Sequence, residues 1–348
     1  MQEMHEHEGY TGEALTRTLR LGERAVHGPL AVFPLFTERA VPQPARPHYV
    51  TLRQALALGM VAVTEVSEGG SVPELRLVNK GDQRVLVLDG EELRGAKQNR
   101  VLNTTILVSR YSTLVVPVSC TEAGRWSYAS PEFAESEIVA ERQVRFAMRE
   151  TTQASLAAGA GHRTDQGRVW HEVDAMHARQ GTHSPTSAMR DSYAHKKQDL
   201  DAVVAAFPLQ DHQKGVLVLH GGRVVGLDYV SRSRQYAELH DKLLRSYAFE
   251  ALVRDGEPGD RAVAEAFLGR IAGLDGRRFK SPGLGWDVRF QGAGVLGSAL
   301  VYRGSAVHAA FFDVGGAESA GGPGDERRRQ PEWRIADARE RARRRTTS

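Results

Sequence analysis

Short apolar runs that alternate with polar residues dominate the first third of the chain. Val61–Val66 follows this alternation, and runs rich in β-branched residues come later, at Val85–Leu88, Val101–Leu107 and Leu114–Val118. A period of two residues and β-branched side chains are typical of strands. Because no long helical pattern separates the later runs, we predict that these strands pair in a largely antiparallel manner.

Two local signals refine this part of the pattern. Pro34 interrupts the apolar run Leu30–Phe36, and proline lacks the N–H that a sheet ladder uses, so this run is predicted to be an edge strand or the end of a strand. Thr51 is a favourable N-cap for a short helix that ends at Gly59.

After Ser130 the apolar residues recur at helical spacing. Ser130 and Pro131 have the character of an N-cap and a first helical residue, and they predict a helix that continues to about Leu156. A second helix is predicted around Val169–Met176, and a third from about Ala188 to Phe207. The middle of the chain is therefore predicted to contain three helices.

The last third mixes hairpins with helices. Gly221–Gly222 is a favoured two-residue turn inside VLVLHGGRVVGLDYV, and ALVYRGSAVHAAFF near the end has the same rhythm. We expect these strands to join or to face the N-terminal sheet. The predicted fold class is α+β, with a largely antiparallel β-rich N-terminal part, a three-helix middle and a mixed C-terminal part of hairpins and helices.

The same patterns predict the divisions of the chain. They are a flexible N-terminal arm (1–18), one domain (19–315) and a disordered basic tail (316–348). Within the domain we predict a β-rich lobe (19–129), a helical segment (130–208) and a mixed lobe (209–315).

Composition restricts the location of the protein. The chain has one cysteine among 348 residues, and no apolar run approaches the ~20 residues that span a bilayer. The polar N-terminus has neither the basic nor the apolar region of a secretory signal. A single cysteine excludes an intrachain disulfide and fits a reducing compartment, so we predict a cytoplasmic protein without membrane contact.

The net charge of +3 belongs to the tail and not to the body. Residues 325–348 contain nine Arg and five acidic residues, a net of +4, so the remaining residues together carry −1. A tail rich in Arg and poor in apolar residues is predicted to be solvated. Nucleic-acid binding through this tail is disfavoured relative to a solubilising role.

The densest group of chemically capable side chains lies between strands, from Arg84 to Trp126. Gly90 and Gly95 allow a tight turn there, or the close approach of a ligand. Glu91 and Glu92 are the candidate catalytic residues, because paired carboxylates beside cations can perform acid–base chemistry. The same carboxylates could hold a divalent metal, or pair with the neighbouring cations at a surface.

The other polar residues of the segment are candidate ligand contacts. Cations can hold anionic groups, Arg presents a planar fork to carboxylate or phosphate, and Trp offers an aromatic surface to a base. The candidates are Lys97, Gln98, Asn99, Arg100, Asn103, Glu122, Arg125 and Trp126.

Cysteine and histidine give weaker signals. Cys120 is predicted to be a small buried hydrophobe in preference to a nucleophile. His171, His177 and His183 are six residues apart, which does not place them on one helical turn, and no metal site is predicted. His220 and His308 lie in the hairpins and are predicted to be half-exposed strand residues.

The run VLVLDGEELRGAKQNRVLNTTILV, with VPVSCTEAGRWSY after it, resembles the bacterial ARPP-1 family. The name denotes a protein domain associated with ADP-ribosylglycohydrolases and rhodanese-phosphatases, and the resemblance extends from about Leu19 to Phe312. It implies no established reaction and no identified cofactor. The associations imply a link to ADP-ribose, NAD-derived or phosphorylated nucleotide metabolites, and an ADP-ribosylglycohydrolase or phosphatase as partner.

Three hypotheses follow from the residues and the resemblance. The first is an enzyme that acts on a nucleotide-derived substrate, with Glu91 or Glu92 as the acid/base and Lys97 and Arg100 holding anionic groups. The second is a non-catalytic ligand-binding or scaffold domain that accompanies an ADP-ribose-processing enzyme. The third is a structural role, in which the polar segment ties strands together through buried hydrogen bonds.

Overall fold

A computed structural model describes residues 9–37, 47–67, 73–125, 130 and 132–314 of the chain. Several predictions fall wholly or partly elsewhere, among them residues 1–8 of the predicted arm. Trp126 as a ligand contact, Pro131 as a first helical residue and the basic tail 316–348 lie outside the described residues.

The strands of the described part are numbered in chain order. They are β1 (Leu19–Leu21), β2 (Ala25–His27), β3 (Leu30–Thr37), β4 (Tyr49–Thr51), β5 (Val61–Glu65), β6 (Glu74–Asn79), β7 (Arg84–Val87), β8 (Glu91–Gly95), β9 (Arg100–Leu102), β10 (Ile106–Val108), β11 (Ser112–Cys120), β12 (Phe133–Val139), β13 (Gly215–His220), β14 (Arg223–Val230), β15 (Arg277–Lys280), β16 (Trp286–Gly292), β17 (Val295–Tyr302) and β18 (Ser305–Asp313).

The helices follow the same numbering. They are α1 (Gly12–Thr16), α2 (Leu52–Ala57), α3 (Arg142–Ala157), α4 (Gln166–Gln180), α5 (Met189–His195), α6 (Lys197–Ala205), α7 (Ser233–Ala248) and α8 (Arg261–Ala272), with a 3-10 turn at Phe249–Leu252 after α7. No helix in these described stretches is both long enough and apolar enough to cross a membrane.

The strands form three sheets. The main sheet has the order β1-β3-β13-β14-β18-β17-β16-β15, with β2 also paired to β3; the second is β12-β8-β9-β11-β6-β5, and the third is β10-β7-β4. Among the described strands only β4 and β7 pair in parallel. The predicted α+β class with largely antiparallel pairing is therefore confirmed, and the C-terminal hairpins join the N-terminal β3 through β13.

Both faces of the main sheet are buried. Val216 and Val218 of β13 pack on the side of α7, whereas Leu217 and Leu219 pack on the side of α8. Successive strand residues point to opposite faces, so a strand covered on both faces is apolar along its whole length. A charged residue inside such a strand must then find a partner in the protein.

Local signals for turns and caps are confirmed at several places. Thr51 caps α2 through a hydrogen bond from the Gln54 N–H, and Gln54 completes a capping box. Gly221 and Gly222 have φ of 56° and 76°, as a two-residue hairpin turn between β13 and β14 requires.

Pro34 lies in the interior of β3, inside the main sheet, so the prediction that its run is an edge strand or the end of a strand is wrong. β3 pairs with β13 on one side and with β1 and β2 on the other. The Pro34 carbonyl accepts a hydrogen bond from the Gly22 N–H at 2.8 Å, beyond the end of β1. The N and O atoms of one strand residue face the same neighbour, so the missing N–H of Pro34 faces the gap between β1 and β2.

The region predicted as the start of the first long helix contains a strand. Phe133–Val139 forms β12, which pairs with β8, and α3 begins only at Arg142 with Glu141 as its N-cap. Without β12 this edge of β8 would be unpaired, and the hydrogen bonds that it supplies to β12 outweigh the local N-cap signal at Ser130. The third predicted helix is also divided, into α5 and α6, at Lys196.

Part of the predicted flexible arm belongs to the folded body. Gly12–Thr16 forms α1, in which the Gly12 N–H donates to the Leu274 carbonyl at 2.9 Å. Leu15 is 2% exposed and contributes to the core beside α8. A single buried leucine in a polar stretch is too short a pattern to predict this contact from sequence.

Candidate functional site

The polar segment begins with a turn that requires glycine. After β7 the chain reverses at Asp89–Gly90, where Gly90 has a φ of 76°. An added Cβ at Gly90 would lie 2.9 Å from Cγ of Arg145 on α3. Only glycine combines this backbone conformation with such a close approach of α3.

Glu91 and Glu92 are consecutive residues of β8, and their side chains therefore point in opposite directions. Glu91 is fully buried, accepts the Leu88 N–H at 3.0 Å, and forms an ion pair with Lys242 of α7. Lys242 also contacts Glu135 at 3.0 Å. Glu91 thus lies in a buried group that ties β8 and β12 to α7.

Glu92 lies in a different environment from Glu91. It is also fully buried, and its Oε1 accepts a hydrogen bond from Thr121 at 2.9 Å. Its Oε2 has no hydrogen-bond partner in the described part of the chain. Burial raises the pKa of Glu92 to about 7, and the hydrogen bond from Thr121 offsets only part of this effect.

Four of the predicted ligand contacts form one hydrogen-bonded group around Glu122. The Glu122 carboxylate accepts the Asn99 N–H at 3.2 Å and pairs with Arg125 at 2.7 Å. Gln98 donates to the Glu122 carbonyl at 2.8 Å, and Arg125 donates to the Ala96 carbonyl at 2.8 Å. The stretch around Glu122 is held in turn by residues before α5, where Thr186 donates to Glu122 Oε1 at 2.9 Å.

Arg100 is buried next to this group. Its guanidinium donates to Gln98 Oε1 at 2.8 Å, contacts the Cys120 sulfur and lies 3.8 Å from Glu65. Cys120 is fully buried, as predicted. Burial raises the pKa of the Cys120 thiol to about 11, so the sulfur is a neutral thiol at physiological pH.

Asn103 lies apart from the Glu122 group. Asn103 accepts a hydrogen bond from Ser119 at 2.7 Å and donates to the His162 carbonyl at 3.0 Å. Lys97 is half-buried. The described members of the predicted site are therefore distributed among separate buried groups and do not meet in one described cavity. The roles proposed for them in catalysis and ligand binding stay predictions.

A larger buried polar centre lies where the segment meets α3 and the main sheet. Arg145 of α3 forms a two-pronged ion pair with Asp228 of β14, with N–O distances of 2.9 and 2.7 Å. Asp228 also accepts from the Tyr247 hydroxyl at 2.6 Å and contacts His308 Nε2 at 3.2 Å. All four side chains lie on the face of the main sheet that packs against α3 and α7.

Asp89 and Thr105 connect this centre to the polar segment. Thr105 Oγ1 lies 2.9 Å from His308 Nδ1 and donates to Asp89 Oδ1 at 3.0 Å. Asp89 pairs with Arg149, one helical turn after Arg145. Burial alone would raise the pKa of Asp89, but the charges of Arg149 and Arg145 hold that pKa well below its ordinary value.

A neighbouring group extends the polar centre towards the edge of the main sheet. Asp287 of β16 accepts hydrogen bonds from Thr104 at 2.8 Å and from Arg289 at 2.8 and 2.6 Å, and contacts His162 at 3.0 Å. Burial opposes ionisation, but the charge of Arg289 and the His162 contact lower the pKa of Asp287 to about 2. Arg289 also donates to Thr104 Oγ1 at 2.9 Å.

Sequence reasoning missed this polar centre although a signal was present. Asp228 and His308 each interrupt an otherwise apolar strand, and Asp287 and Arg289 alternate with the apolar residues of β16. Such residues in a strand covered on both faces indicate buried polar pairing. His308 is 1% exposed, so the prediction that it is half-exposed is wrong, whereas His220 is half-buried as predicted.

An open cleft of about 380 Å³ lies beside the polar centre, between α3 and the β15–β16 edge. Arg289 is the residue that belongs both to the lining of the cleft and to the Asp287 group. The other lining residues are Glu150, Gln153, Ala154, Ala157, Asp275, Arg277, Phe279, Gln291 and Leu296. In the described ranges no group of three His, Cys, Asp or Glu side chains has the arrangement of a metal site.

Comparison with known proteins identifies the family. The model of ARPP-1, the ARG and Rhodanese-Phosphatase-superfamily-associated Protein domain, matches residues 18–312, which is most of the chain. No curated protein and no solved structure matches the chain. The matched range contains the polar segment, the buried polar centre and the cleft, and the chain therefore belongs to the ARPP-1 family.

Proposed function

We propose that this domain binds an anionic, nucleotide-derived metabolite, such as ADP-ribose or an NAD-related compound, without converting it. One observation carries this proposal. The two carboxylates that the sequence offers for acid–base chemistry are fully buried and on opposite sides of β8, and each is bonded inside the protein. An acid/base pair must reach one substrate within hydrogen-bond distance, which this arrangement does not favour.

The family name supports the choice of ligand class and of partner. It associates the domain with ARG and with the rhodanese-phosphatase superfamily. We take ARG to mean ADP-ribosylglycohydrolases, so the ligands expected from these associations are phosphorylated or ADP-ribosylated compounds. A binding domain that accompanies such an enzyme would retain or present its substrate or product. We propose an ADP-ribosylglycohydrolase or a phosphatase of this kind as the partner, in the cytoplasm.

The predicted ligand contacts are part of this proposal. Arg125 has a side chain that is 18% exposed, and Lys97 is half-buried, so both are accessible to a ligand at the surface of the Glu122 group. Gln98, Asn99, Arg100 and Glu122 are buried behind them and would fix the positions of these cations. Asn103 supports the neighbouring stretch through Ser119.

Turnover is the second candidate function, and one observation favours it. The unpartnered Oε2 of Glu92 and the pKa of about 7 are properties of a carboxyl group that can exchange a proton near neutral pH. In that case Glu92 is the acid/base and Glu91, fixed by Lys242, has a structural role.

Calorimetry and product analysis with one set of ligands separate the two functions. The full chain is titrated with ADP-ribose, NAD and AMP, and the same mixtures are analysed by chromatography after incubation with and without divalent metal ions. We expect a binding isotherm for at least one ligand and no product. Product formation that is lost in Glu92→Gln but kept in Glu91→Gln would establish the enzyme instead.

A further inference from the structure

The cleft between α3 and the β15–β16 edge contains a cation with an unused donor group. Arg289 is 3% exposed, and its Nε and Nη2 are bonded to Asp287 and Thr104. Its Nη1 has no hydrogen-bond partner among the residues that the structure describes. Because Arg289 lines the cleft, this amino group is available to a molecule that enters it.

The position of Arg289 is fixed in advance. Arg289 donates to Asp287 through Nε and Nη2. Nη2 also donates to the Thr104 hydroxyl, and that hydroxyl donates in turn to Asp287. His162 contacts the same carboxylate at 3.0 Å from the other side. A guanidinium that is already immobilised loses little conformational entropy when it binds a ligand.

A second arginine faces the first. Arg277 lies directly opposite Arg289 in the antiparallel pairing of β15 and β16, so both side chains point to the same face of the sheet. Arg277 is exposed, and its guanidinium lies 5.1 Å from the ring centroid of Phe279. Like charges in facing positions destabilise a pair of strands, and an anion that contacts both guanidinium groups would relieve this repulsion.

The rest of the lining restricts the kind of anion. Phe279 and Leu296 give the cleft an apolar surface on which a flat ring can pack. Glu150 and Asp275 are exposed carboxylates that also line the cleft. They would repel a bare phosphate ion but can accept hydrogen bonds from the hydroxyl groups of a sugar.

We propose that this cleft is the binding site for the phosphate and ribose of a nucleoside phosphate. Arg289 and Arg277 bind the phosphate oxygens, Phe279 packs against a ring, and Glu150 and Asp275 accept hydrogen bonds from the ribose hydroxyls. The volume of about 380 Å³ is within the range of small-molecule sites. The proposal rests on the proposed function in taking the ligand to be nucleotide-derived, but it places the ligand at a site apart from Lys97 and Arg125.

Variants of residues that line the cleft without belonging to the buried centre test the site. Titrations with AMP, ADP-ribose, adenosine and inorganic phosphate are performed on the wild type, Arg277→Ala and Phe279→Ala. Lys280→Ala is the matched control, because Lys280 is an exposed cation of the same strand on the opposite face. Circular dichroism and thermal melting of each variant confirm that it is folded.

We expect the wild type to bind AMP and ADP-ribose more tightly than adenosine or inorganic phosphate. Loss of a charge-assisted hydrogen bond in Arg277→Ala should raise the Kd of AMP about 10-fold to 100-fold. Phe279→Ala should weaken AMP and adenosine alike, and Lys280→Ala should leave every Kd unchanged. Arg277→Glu should abolish the binding of AMP in the cleft, since it places a negative charge opposite the phosphate.

Each failure has a distinct meaning. If the wild type binds AMP or ADP-ribose and Arg277→Ala binds them equally well, the cleft is not the binding site and the proposed function stands. If binding depends on Arg277 but the ligand is converted to product, the cleft is the binding site and the proposal of binding without conversion is overturned. If the wild type binds no nucleoside phosphate at millimolar concentration, both are overturned.

Discussion

At the scale of single residues, Glu92 is a buried carboxyl group whose pKa is raised. The carboxyl group is fully buried, its Oε2 has no donor in the described part of the chain, and burial raises its pKa to about 7. A raised pKa means that the folded protein holds this proton more tightly than the unfolded chain does. The stabilisation is complete below the unfolded pKa near 4.5 and is lost as the pH rises through about 7.

Replacing Glu92 with glutamine should remove this dependence on pH. We expect the wild type to lose stability on the order of 3 kcal/mol between pH 5 and pH 9 through this group, and Glu92→Gln to lose correspondingly less. Urea unfolding at several pH values measures the difference. Burial also raises the pKa of Glu141 to about 7. Because both proteins contain Glu141, its contribution to the pH dependence of stability cancels in the comparison. Equal pH profiles for the two proteins would contradict the assignment to Glu92.

The Arg145–Asp228 pair is a fully buried ion pair. Both side chains have no exposed surface, and Asp228 additionally binds Tyr247 and His308. Asp228→Asn keeps the shape of the side chain but removes the two-pronged partner of Arg145, which keeps only the more distant Asp89 carboxylate at 3.9 Å. We expect the free energy of unfolding to fall by about 3–5 kcal/mol.

An exposed ion pair provides the control for this experiment. Lys197 pairs with Asp201 on α6, and the Lys197 side chain is 75% exposed. Lys197→Ala should therefore cost less than about 1 kcal/mol in the same urea titration. Similar losses for Asp228→Asn and Lys197→Ala would show that burial does not govern the strength of the Arg145 pair.

At the scale of elements, the turn between β7 and β8 fixes the distance to α3. Gly90 has a left-handed φ of 76°, and its missing Cβ leaves room for Arg145. Arg145 and Arg149 then reach Asp228 and Asp89 from the same face of α3. The helix, the turn and the main sheet are thereby joined by charges and not only by apolar packing.

A pair of glycine variants can separate backbone strain from this close approach. Gly159 has a φ of 73°, and an added Cβ there would have no neighbour within 4 Å. Gly159→Ala should cost about 1–2 kcal/mol for the left-handed backbone alone. Gly90→Ala should cost a further ~1–3 kcal/mol, because its Cβ would lie 2.9 Å from Arg145 Cγ. Urea unfolding of both variants measures this, and equal losses would mean that α3 shifts without cost.

At the scale of the whole molecule, the β-rich N-terminal part and the main sheet are held together through a polar centre. Arg149 pairs with Asp89, Thr105 contacts His308, and Thr104 donates to Asp287. A buried network of this kind is favourable only when its polar groups all have hydrogen-bond partners. Because these partners come from different sheets, the network favours one arrangement of the sheets over others. The cleft lies at the end of this network, so a ligand at Arg289 would contact a part of the protein that is already rigid.

The basic tail should be dispensable for the stability of this body. One compact unit of the chain ends at Asp313, and the tail lies outside the described residues. We expect deletion of residues 325–348 to leave the melting temperature unchanged while lowering the net charge by four. Differential scanning calorimetry of the two chains measures this, and a fall of several degrees would contradict the prediction that the tail is independent of the fold.

The sequence by itself determined the elements whose signals are local. Alternation predicted β5, the Gly221–Gly222 turn predicted the β13–β14 hairpin, and Thr51 predicted the start of α2. It also determined the single cysteine, the charge of the tail and the resemblance that the ARPP-1 match confirms. These properties depend on neighbouring residues, on composition or on motif identity, so they can be read without knowing the fold.

Only the tertiary structure decided which polar residues meet. A period of two predicts that Glu91 and Glu92 face opposite ways. It does not predict that Glu91 pairs with Lys242 or that Glu92 accepts a hydrogen bond from Thr121. Thr105 and His308 are 203 residues apart, and their contact depends on the order of strands in the main sheet. Local pattern fixes the side to which a residue points, whereas its partner is fixed by packing between distant elements.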